Sequence, residues 1–185
     1  MTELYRLFAE IMDYPGAELG NHLNDCIALL SMEHPAAAEL LKHFQIARQA
    51  MPANRLEEIY TTTFDMRPDC TLNLGYHLFS DDWRRSIFLA KLNELYDALG
   101  FKADGDLPDY LPIVLRFLAI ADVKPEAAEL VEDGLIPAIS RIIQAMTQEK
   151  KEANPYEPAL ESLSVWLRNR SAADCASEAS QQTLR

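Results

Sequence analysis

The sequence has little of the material from which small metal and disulfide sites are built. Its 185 residues include three cysteines and six glycines, and Cys26, Cys70 and Cys175 stand far apart with no CxxC pair. This usage predicts a reducing compartment, without a disulfide framework or a zinc site of paired cysteines. Cys26 lies on an apolar stripe and is expected in the core. Cys70 lies in an irregular segment, where it can be exposed.

Sequence signatures of catalysis are also missing. No histidine stands three residues after a glutamate, which is the spacing that helical bundles use for paired metal ligands. No GxxxxGK[ST], GxGxxG or GxSxG occurs, so neither a phosphate-binding loop nor a serine nucleophile is indicated. We therefore expect no enzyme activity, no metal site and no tightly bound cofactor.

Long apolar runs and a basic charge balance are absent as well. No run reaches the roughly 18 residues that a membrane span needs, and the first residues lack the pattern of a signal peptide. A cytoplasmic protein without membrane insertion is the expectation. The 29 acidic residues outnumber the 17 basic ones, for a net charge of -12. That charge argues against nucleic acid as a partner and favours a basic one.

The apolar residues that are present recur at helical spacing between prolines and glycines. We expect an all-α, single-domain bundle of about seven to nine helices over residues 1–170, followed by a disordered tail over 171–185. A long connection with at most one helical turn is expected over 65–79. The predicted helices span 3–13, 17–32, a segment from Pro35, a segment from Pro52, 81–99, a segment following Asp109, 125–133, 136–149 and a segment from Pro155.

The segment DGDLPDYLPIVLRFLA (104–119) places prolines and aspartates at the entry to a strongly apolar helix. The pattern predicts Asp109 as the N-cap of this helix and Pro112 at N3, where a missing N–H costs nothing. Pro108 holds the preceding residue extended. Ser80 is predicted as the N-cap of the helix over 81–99.

Three stretches resemble the NarJ branch of the TorD/NarJ family of redox-enzyme maturation chaperones. They are LFAEIMDYP (7–15), YTTTFD (60–65) and LPDYLPIVLRFLA (107–119), and the resemblance runs from about residue 4 to about residue 168. One position departs from the family pattern, since relatives often carry His where this chain has Tyr110.

The resemblance implies an all-helical cytoplasmic chaperone without catalytic activity. Such a protein binds the N-terminal tail of a molybdoenzyme catalytic subunit, here one like the nitrate reductase alpha subunit. It assists molybdenum cofactor insertion and complex assembly, with at most transient contact to the client's cofactor. Other members of the dimethyl sulfoxide reductase superfamily remain alternative clients, and the chaperone is expected as a monomer or a dimer.

We expect the client tail to bind in an apolar groove between helices, with acidic residues at its rim. Asp106, Asp109 and Tyr110 are predicted at the rim, and Leu107 and Leu111 as packing anchors. The predicted client-binding residues are Tyr60, Phe64, Asp65, Asp106, Leu107, Pro108, Asp109, Tyr110, Leu111 and Pro112.

Several roles stay open at this level. Tyr60 and Phe64 share a helix face and suit either the core or a groove wall. Trp83 suits a groove or a packing contact, whereas Arg84 and Arg85 are expected on a solvated face. Two further function classes also stay open: a structural adaptor between subunits, and a helical enzyme or cofactor carrier.

Overall fold

The structure is a computed structural model that describes residues 2–103, 105–121, 124–148 and 153–182, with side chains as far as residue 172. The predicted all-α class is confirmed. Over these ranges, ten α-helices form nine continuous helical rods, because α8 and α9 are joined by a π-helical turn. The helices are α1 Thr2–Met12, α2 Leu19–Glu33, α3 Pro35–Gln49, α4 Ala53–Tyr60, α5 Leu74–Phe79, α6 Arg84–Ala98, α7 Leu111–Ala121, α8 Pro125–Glu129, α9 Ile136–Gln148 and α10 Glu157–Gln182.

Helix α1 lies at the centre of the bundle, packed by α2, α7 and α10. Its apolar residues form one broad buried face that takes in seven of its eleven residues, and Glu3, Arg6 and Glu10 lie on the opposite face. Trp166 of α10 stacks on Phe8 at 5.4 Å between ring centroids and meets Tyr5 edge to face at 4.8 Å. Aromatic contacts therefore join the two ends of the chain in one core.

Several helix starts follow the prolines, as predicted. Pro35 and Pro125 occupy the first positions of α3 and α8, and Pro52 is the N-cap of α4. Proline suits these positions because its missing N–H would have no intrahelical partner there.

Two π-helical turns differ from the sequence prediction. Thr61–Asp65 continues α4, and Leu130–Leu135 joins α8 to α9. The break predicted between the helices over 125–133 and 136–149 is wrong, because Gly134, which lies between them, is buried inside the second π turn. Neighbouring helices hold the chain helical through the glycine.

The connection predicted over 65–79 contains more structure than expected. It holds a 3-10 turn over Pro68–Cys70 and then the short helix α5. Cys70 is fully buried, although its irregular segment allowed exposure, whereas Cys26 is a core residue as predicted. Cys175 lies outside the residues whose side chains are described.

Ser80 does not cap the following helix. It ends α5 with φ 53° and ψ −137°, a backbone conformation that residues with a side chain rarely adopt. Helix α6 begins at Arg84, and the Asp82 carboxylate accepts a hydrogen bond from the Arg84 N–H at 2.9 Å.

The division into a domain over 1–170 and a disordered tail over 171–185 stays a prediction, although the α10 backbone is helical as far as Gln182. Among the described helices, none has the length and apolar content to cross a bilayer.

Candidate functional site

The three stretches that carry the family resemblance meet at one place. The hydroxyl of Tyr60, at the end of α4, lies 2.6 Å from the hydroxyl of Tyr110. The Met12 carbonyl lies 3.1 Å from the Tyr60 hydroxyl, and an Asp13 carboxylate oxygen lies 3.4 Å from the Tyr110 hydroxyl, so the two phenol protons are shared among three contacts. We call this site, formed by Asp13, Tyr14, Tyr60, Asp65, Asp106, Leu107, Tyr110 and Arg116, the tyrosine junction.

Arg116 of α7 ties the junction to α1. Its guanidinium donates to Asp13 Oδ2 at 2.5 Å and to Glu10 Oε1 at 3.3 Å. All three side chains are about one-third exposed. Arg116 is the one charged residue in IVLRFLA, and this isolation was a signal that the sequence prediction missed.

The junction is acidic. Burial raises the pKa of Tyr60, and the charges of Asp13 and Asp65 add to that rise. Burial also raises the pKa of Tyr110, with added contributions from Asp13, Asp106 and Asp65. Both phenols therefore stay protonated at neutral pH, in a field set by three carboxylates. The arrangement can receive a cation and can offer a neutral hydroxyl beside it.

Tyr60 and Phe64 are core residues, with 2% and 3% of their surface exposed. Their rings lie 5.0 Å apart, and both rings pack against Tyr156. The first π turn supports this packing, since the Met66 N–H donates to the Thr61 carbonyl at 3.0 Å. Tyr14 covers the cluster, with its ring 5.5 Å from Tyr60 and 52% of its surface exposed.

The segment carrying Tyr110 is fixed by pairing with the chain before α5. Asn73 and Tyr110 form an isolated antiparallel bridge. The Leu74 N–H donates to the Asp109 carbonyl, and the Leu111 N–H to the Leu72 carbonyl, both at 2.9 Å. Tyr96 of α6 also donates to the Pro108 carbonyl at 2.7 Å. These bonds make the entry to α7 rigid.

Asp109 does not cap its own helix and does not lie on the rim. It is fully buried, and its Oδ2 accepts a hydrogen bond from the Gly75 N–H at 2.9 Å. Gly75 lies in the first turn of α5, so Asp109 caps a different helix. A Cβ added at Gly75 would lie 2.8 Å from that oxygen, and only glycine allows the approach.

Arg85 also lies beside Asp109 rather than on a solvated face. Its Nη2 atom is 3.8 Å from Asp109 Oδ2, and the Arg85 side chain is only 25% exposed. Burial raises the pKa of Asp109, while the Gly75 hydrogen bond and the Arg85 charge lower it. In the described part of the chain, Asp109 Oδ1 and Arg85 Nε have no hydrogen-bond partner. The pair is close but incompletely bonded.

The predicted site residues divide by exposure. Leu107 is 47% exposed, so its predicted role as a packing anchor is wrong, whereas Leu111 is fully buried as predicted. Pro112 stands at N2 of α7 rather than N3. The exposed or half-buried group is Asp65, Asp106, Leu107, Pro108 and Tyr110; the buried group is Tyr60, Phe64, Asp109, Leu111 and Pro112.

Side chains that could hold a metal ion do not gather within the described ranges, where no group of three or more His, Cys, Asp or Glu is found. Trp83 is 70% exposed and does not pack the connection onto the core. Arg84 lies on a solvated face, as predicted, with its guanidinium 5.9 Å from the ring centre of Phe79.

Two of the three stretches, residues 60–65 and 107–119, lie within the part of the chain that a family profile matches. The sequence profile of the nitrate reductase delta subunit family matches residues 30–152. The "Probable nitrate reductase molybdenum cofactor assembly chaperone NarJ" of Bacillus subtilis is 29% identical over 161 residues, covering 86% of this chain and 85% of that protein. The "Nitrate reductase-like protein NarX" of Mycobacterium tuberculosis is 29% identical over 147 residues, which are 79% of this chain and 21% of NarX.

A crystal structure from Archaeoglobus fulgidus has the same fold. It belongs to a protein assigned to redox enzyme maturation, with a TM-score of 0.60 and 22% identity over 91% of this chain and 94% of that one. This likeness concerns the fold alone. Because the family profile covers well over half of the sequence, the chain belongs to the nitrate reductase delta subunit family, and its resemblance to the TorD/NarJ chaperones is confirmed.

Proposed function

We propose that this protein is a cytoplasmic chaperone for a nitrate reductase catalytic subunit and that it has no catalytic activity of its own. It binds the N-terminal tail of that subunit and holds it while the molybdenum cofactor is inserted and the complex assembles. The name of the Bacillus subtilis relative supports the role of an assembly chaperone. Contact with the client's cofactor is at most transient in this proposal.

The tyrosine junction is the observation that carries the proposal. Asp13, Asp65 and Asp106 all act on the Tyr110 hydroxyl, so one small surface gathers three acidic side chains. Tyr14, whose ring packs on Tyr60, and Leu107, whose carbonyl accepts the Tyr110 N–H, add exposed apolar side chains. A tail with arginine or lysine beside apolar residues is complementary to this surface.

Buried residues of the predicted site act indirectly in this proposal. Asp109 and Leu111 fix the backbone on either side of Tyr110, and Tyr60 holds its hydroxyl. A surface already held in place loses little conformational entropy when a peptide binds. The exposed residues Asp65, Asp106 and Leu107 are the ones that touch the tail.

The test is a titration of the synthetic N-terminal peptide of the nitrate reductase catalytic subunit from the same organism, measured by calorimetry. The double variant Asp65→Asn with Asp106→Asn removes two charges without changing side-chain size. We expect binding to weaken about tenfold, which is about 1.4 kcal/mol, and its salt dependence to decrease.

The matched control removes two carboxylates from the exposed surface of α2, with Asp25→Asn and Glu33→Gln. It should bind as the original protein does. Equal affinity for the junction double variant would remove the junction as the tail site. Failure of the unaltered protein to bind the tail peptide at all would contradict the proposed function.

A structural adaptor is the second candidate, and the NarX relative favours it. NarX contains a similar stretch as 21% of a longer chain, so a domain of this kind can remain joined to other parts. An adaptor would copurify with the finished membrane-extracted nitrate reductase in fixed proportion. A chaperone would copurify only with the catalytic subunit that still lacks its cofactor.

A further inference from the structure

A small pocket of about 260 Å³ lies beside the tyrosine junction, where the chain passes from α1 to α2. We call it the Arg48 pocket. Leu19 of α2, Arg48 and Gln49 of α3, and Ala53 and Leu56 of α4 line it, and no aspartate or glutamate is among the lining residues described. The volume is below the roughly 300–1,000 Å³ of clefts for drug-sized ligands, so it suits a small ion or a single functional group.

Arg48 supplies the charge of this pocket and is not paired. Each of the other arginines whose side chains are described makes a hydrogen bond or an ion pair within the protein, whereas the Arg48 guanidinium makes none. The chain has 29 acidic residues, yet this half-buried arginine has no carboxylate beside it. Its charge-assisted hydrogen bonds are therefore available to an external anion.

The Arg48 guanidinium lies against the first turn of α2. A Cβ added at Gly20 would lie 3.2 Å from Arg48 Nη1 and 3.4 Å from Nη2, so the missing side chain of Gly20 leaves room for the group. Arg48 belongs to the last turn of α3, where the helix dipole favours a cation, but the N-terminal end of α2 disfavours one. An anion between the guanidinium and this helix end would remove the repulsion.

Two helix starts border the pocket, through Leu19 of α2 and Ala53 of α4. No side chain caps either helix, and neither helix has an acidic residue in its first turn. The first N–H groups of a helix have no intrahelical partner and can donate to an oxyanion. Glu18, which precedes α2, accepts a hydrogen bond from Asn21 at 2.6 Å. The guanidinium and the helix starts thus form a group of donors without an acceptor.

A buried hydroxyl behind the pocket is also without a partner. Tyr156 is fully buried, and in the described chain its hydroxyl has no hydrogen-bond partner. Its ring packs on Phe44 of α3 at 4.9 Å, one helical turn before Arg48. Burial raises the pKa of this phenol, Tyr14 and Glu57 raise it further, and the charge of Arg48 lowers it. The hydroxyl therefore stays protonated and lies at the end of α3 that carries Arg48, where it can donate toward the pocket.

We propose that the Arg48 pocket binds a small oxyanion, held by the Arg48 guanidinium and by the first N–H groups of α2 and α4. A planar guanidinium donates two parallel hydrogen bonds to a pair of oxygens, and carboxylate, nitrate and phosphate all present such a pair. Tyr14 of the junction directly precedes Pro15 and Gly16, which line the pocket, so a bound anion would hold the segment that carries Tyr14. The proposal does not depend on tail binding at the junction.

The experiment titrates the protein with the sodium salts of acetate, nitrate and phosphate, at constant ionic strength against chloride. One of these anions should raise the thermal unfolding midpoint by about 3 °C when its concentration is about ten times its Kd. In two-dimensional amide NMR, the resonances of Gly20 and Ala53 should move in the same titration, while that of Gly100 should stay. The anion that binds most tightly identifies the class of ligand as a carboxylate, nitrate or a phosphate.

Variants of the pocket locate the effect. Arg48→Gln should abolish the change in midpoint and in resonances, and Arg48→Lys, which keeps the charge but not the planar fork, should weaken binding about tenfold. Tyr156→Phe should weaken binding about threefold, although the loss of an unpartnered hydroxyl should leave the free protein at least as stable. Arg84→Gln is the charge-matched control on a solvated face of α6 and should bind as the original protein does.

Any of three results would overturn the proposal. Midpoint changes of equal size in Arg48→Gln and the original protein would show a general effect of the salts on stability. Equal loss of binding in Arg84→Gln and Arg48→Gln would show attraction to overall charge rather than to the pocket. No response to any of the three anions beyond that to chloride would rule out the site. Loss of tail binding alone, with anion binding intact, would contradict the proposed function and leave this inference standing.

Discussion

The tyrosine junction and the Arg48 pocket are linked by one short segment and are built in different ways. Tyr14 belongs to the junction, while the next residues, Pro15 and Gly16, line the pocket. At the junction, hydroxyls, a carboxylate and a guanidinium bond each other between the end of α1, the end of α4 and the start of α7. At the pocket, an unpaired guanidinium lies beside the start of α2, which no side chain caps.

This difference indicates opposite charge preferences in recognition. A hydrogen-bonded, rigid acidic surface selects a basic partner by charge and geometry, because its groups are already in position. A pocket whose guanidinium is not paired selects an anion, because its charge-assisted hydrogen bonds are still to be made. One small region of the chain can therefore respond both to a basic partner and to a free anion.

The largest effect is expected from breaking the packing that holds Tyr110 in the junction. Gly75→Ala would place a Cβ 2.8 Å from Asp109 Oδ2, so the carboxylate would have to leave the N–H that it now accepts from. Overpacking and the lost charge-assisted bond should cost about 3 kcal/mol of unfolding free energy, measured by urea denaturation.

Gly16→Ala is the matched control, because a Cβ there meets nothing within 4 Å. Its stability should change by less than about 0.5 kcal/mol. If both variants kept the original stability, the Asp109–Gly75 contact would not be a support of the junction.

A smaller loss is expected from removing one hydroxyl of the junction. Tyr60→Phe keeps the ring packing but leaves the Met12 carbonyl and the Tyr110 hydroxyl without this partner. The expected cost is about 1–2 kcal/mol in thermal or urea unfolding. Tyr14→Phe, at a half-exposed ring of the same junction, should cost almost nothing. Equal losses of unfolding free energy in the two variants would contradict a stabilising hydrogen bond of the buried Tyr60 hydroxyl.

The same packing predicts a pH dependence through His77 of α5. Burial lowers the pKa of His77 below its ordinary value of 6.5, and the nearby charge of Arg141 lowers it further, while its bond to the Thr71 carbonyl and the charges of Asp69 and Asp109 raise it. Below pH 6.5 the unfolded chain therefore binds a proton that the folded chain resists. Stability should fall as the pH drops through this window, by at most about 1.4 kcal/mol per unit for one proton.

The measurement compares the unfolding midpoint of the original protein and of His77→Gln between pH 7.5 and 5.5. The variant should lose less stability on acidification. Asp109 acts in the opposite direction, because burial raises its pKa and its protonation favours the folded state as the pH falls. The difference between the two proteins isolates His77, and identical slopes would contradict its assignment.

Much of this fold could be predicted from the sequence because helix formation is local. The starts at Pro35 and Pro125 and the buried stripe of α1 follow from short-range spacing. The cap that Asp109 gives to α5 could not be predicted, since it joins residues 34 positions apart. The π turns could not be predicted because turns of five and six residues are too short to leave a distinct periodicity in the sequence.

The junction and the pocket differ in the same respect. The junction was found through three recognisable stretches, although Arg116, alone in an apolar run, was missed. The Arg48 pocket collects residues from α2, α3 and α4, none of which forms a motif by itself. Sequence patterns therefore identified the acidic surface, and only the three-dimensional fold revealed the pocket for an anion.

The smallest stability effect and the sharpest functional contrast are expected from Arg116→Gln. Arg116 is about one-third exposed, so its loss should cost only about 0.5–1 kcal/mol of unfolding free energy. It now neutralises Asp13 and Glu10, and without it the junction becomes more negative. Binding of the basic client tail should tighten about threefold in calorimetry at low salt.

Arg6→Gln, which frees Glu3 elsewhere on α1, is the control for overall charge and should leave tail binding nearly unchanged. Oxyanion binding at the Arg48 pocket should be equal in both variants, because neither change alters the residues that line the pocket. Tighter tail binding together with weaker anion binding in Arg116→Gln would mean that the junction and the pocket act as a single electrostatic field rather than as separate sites.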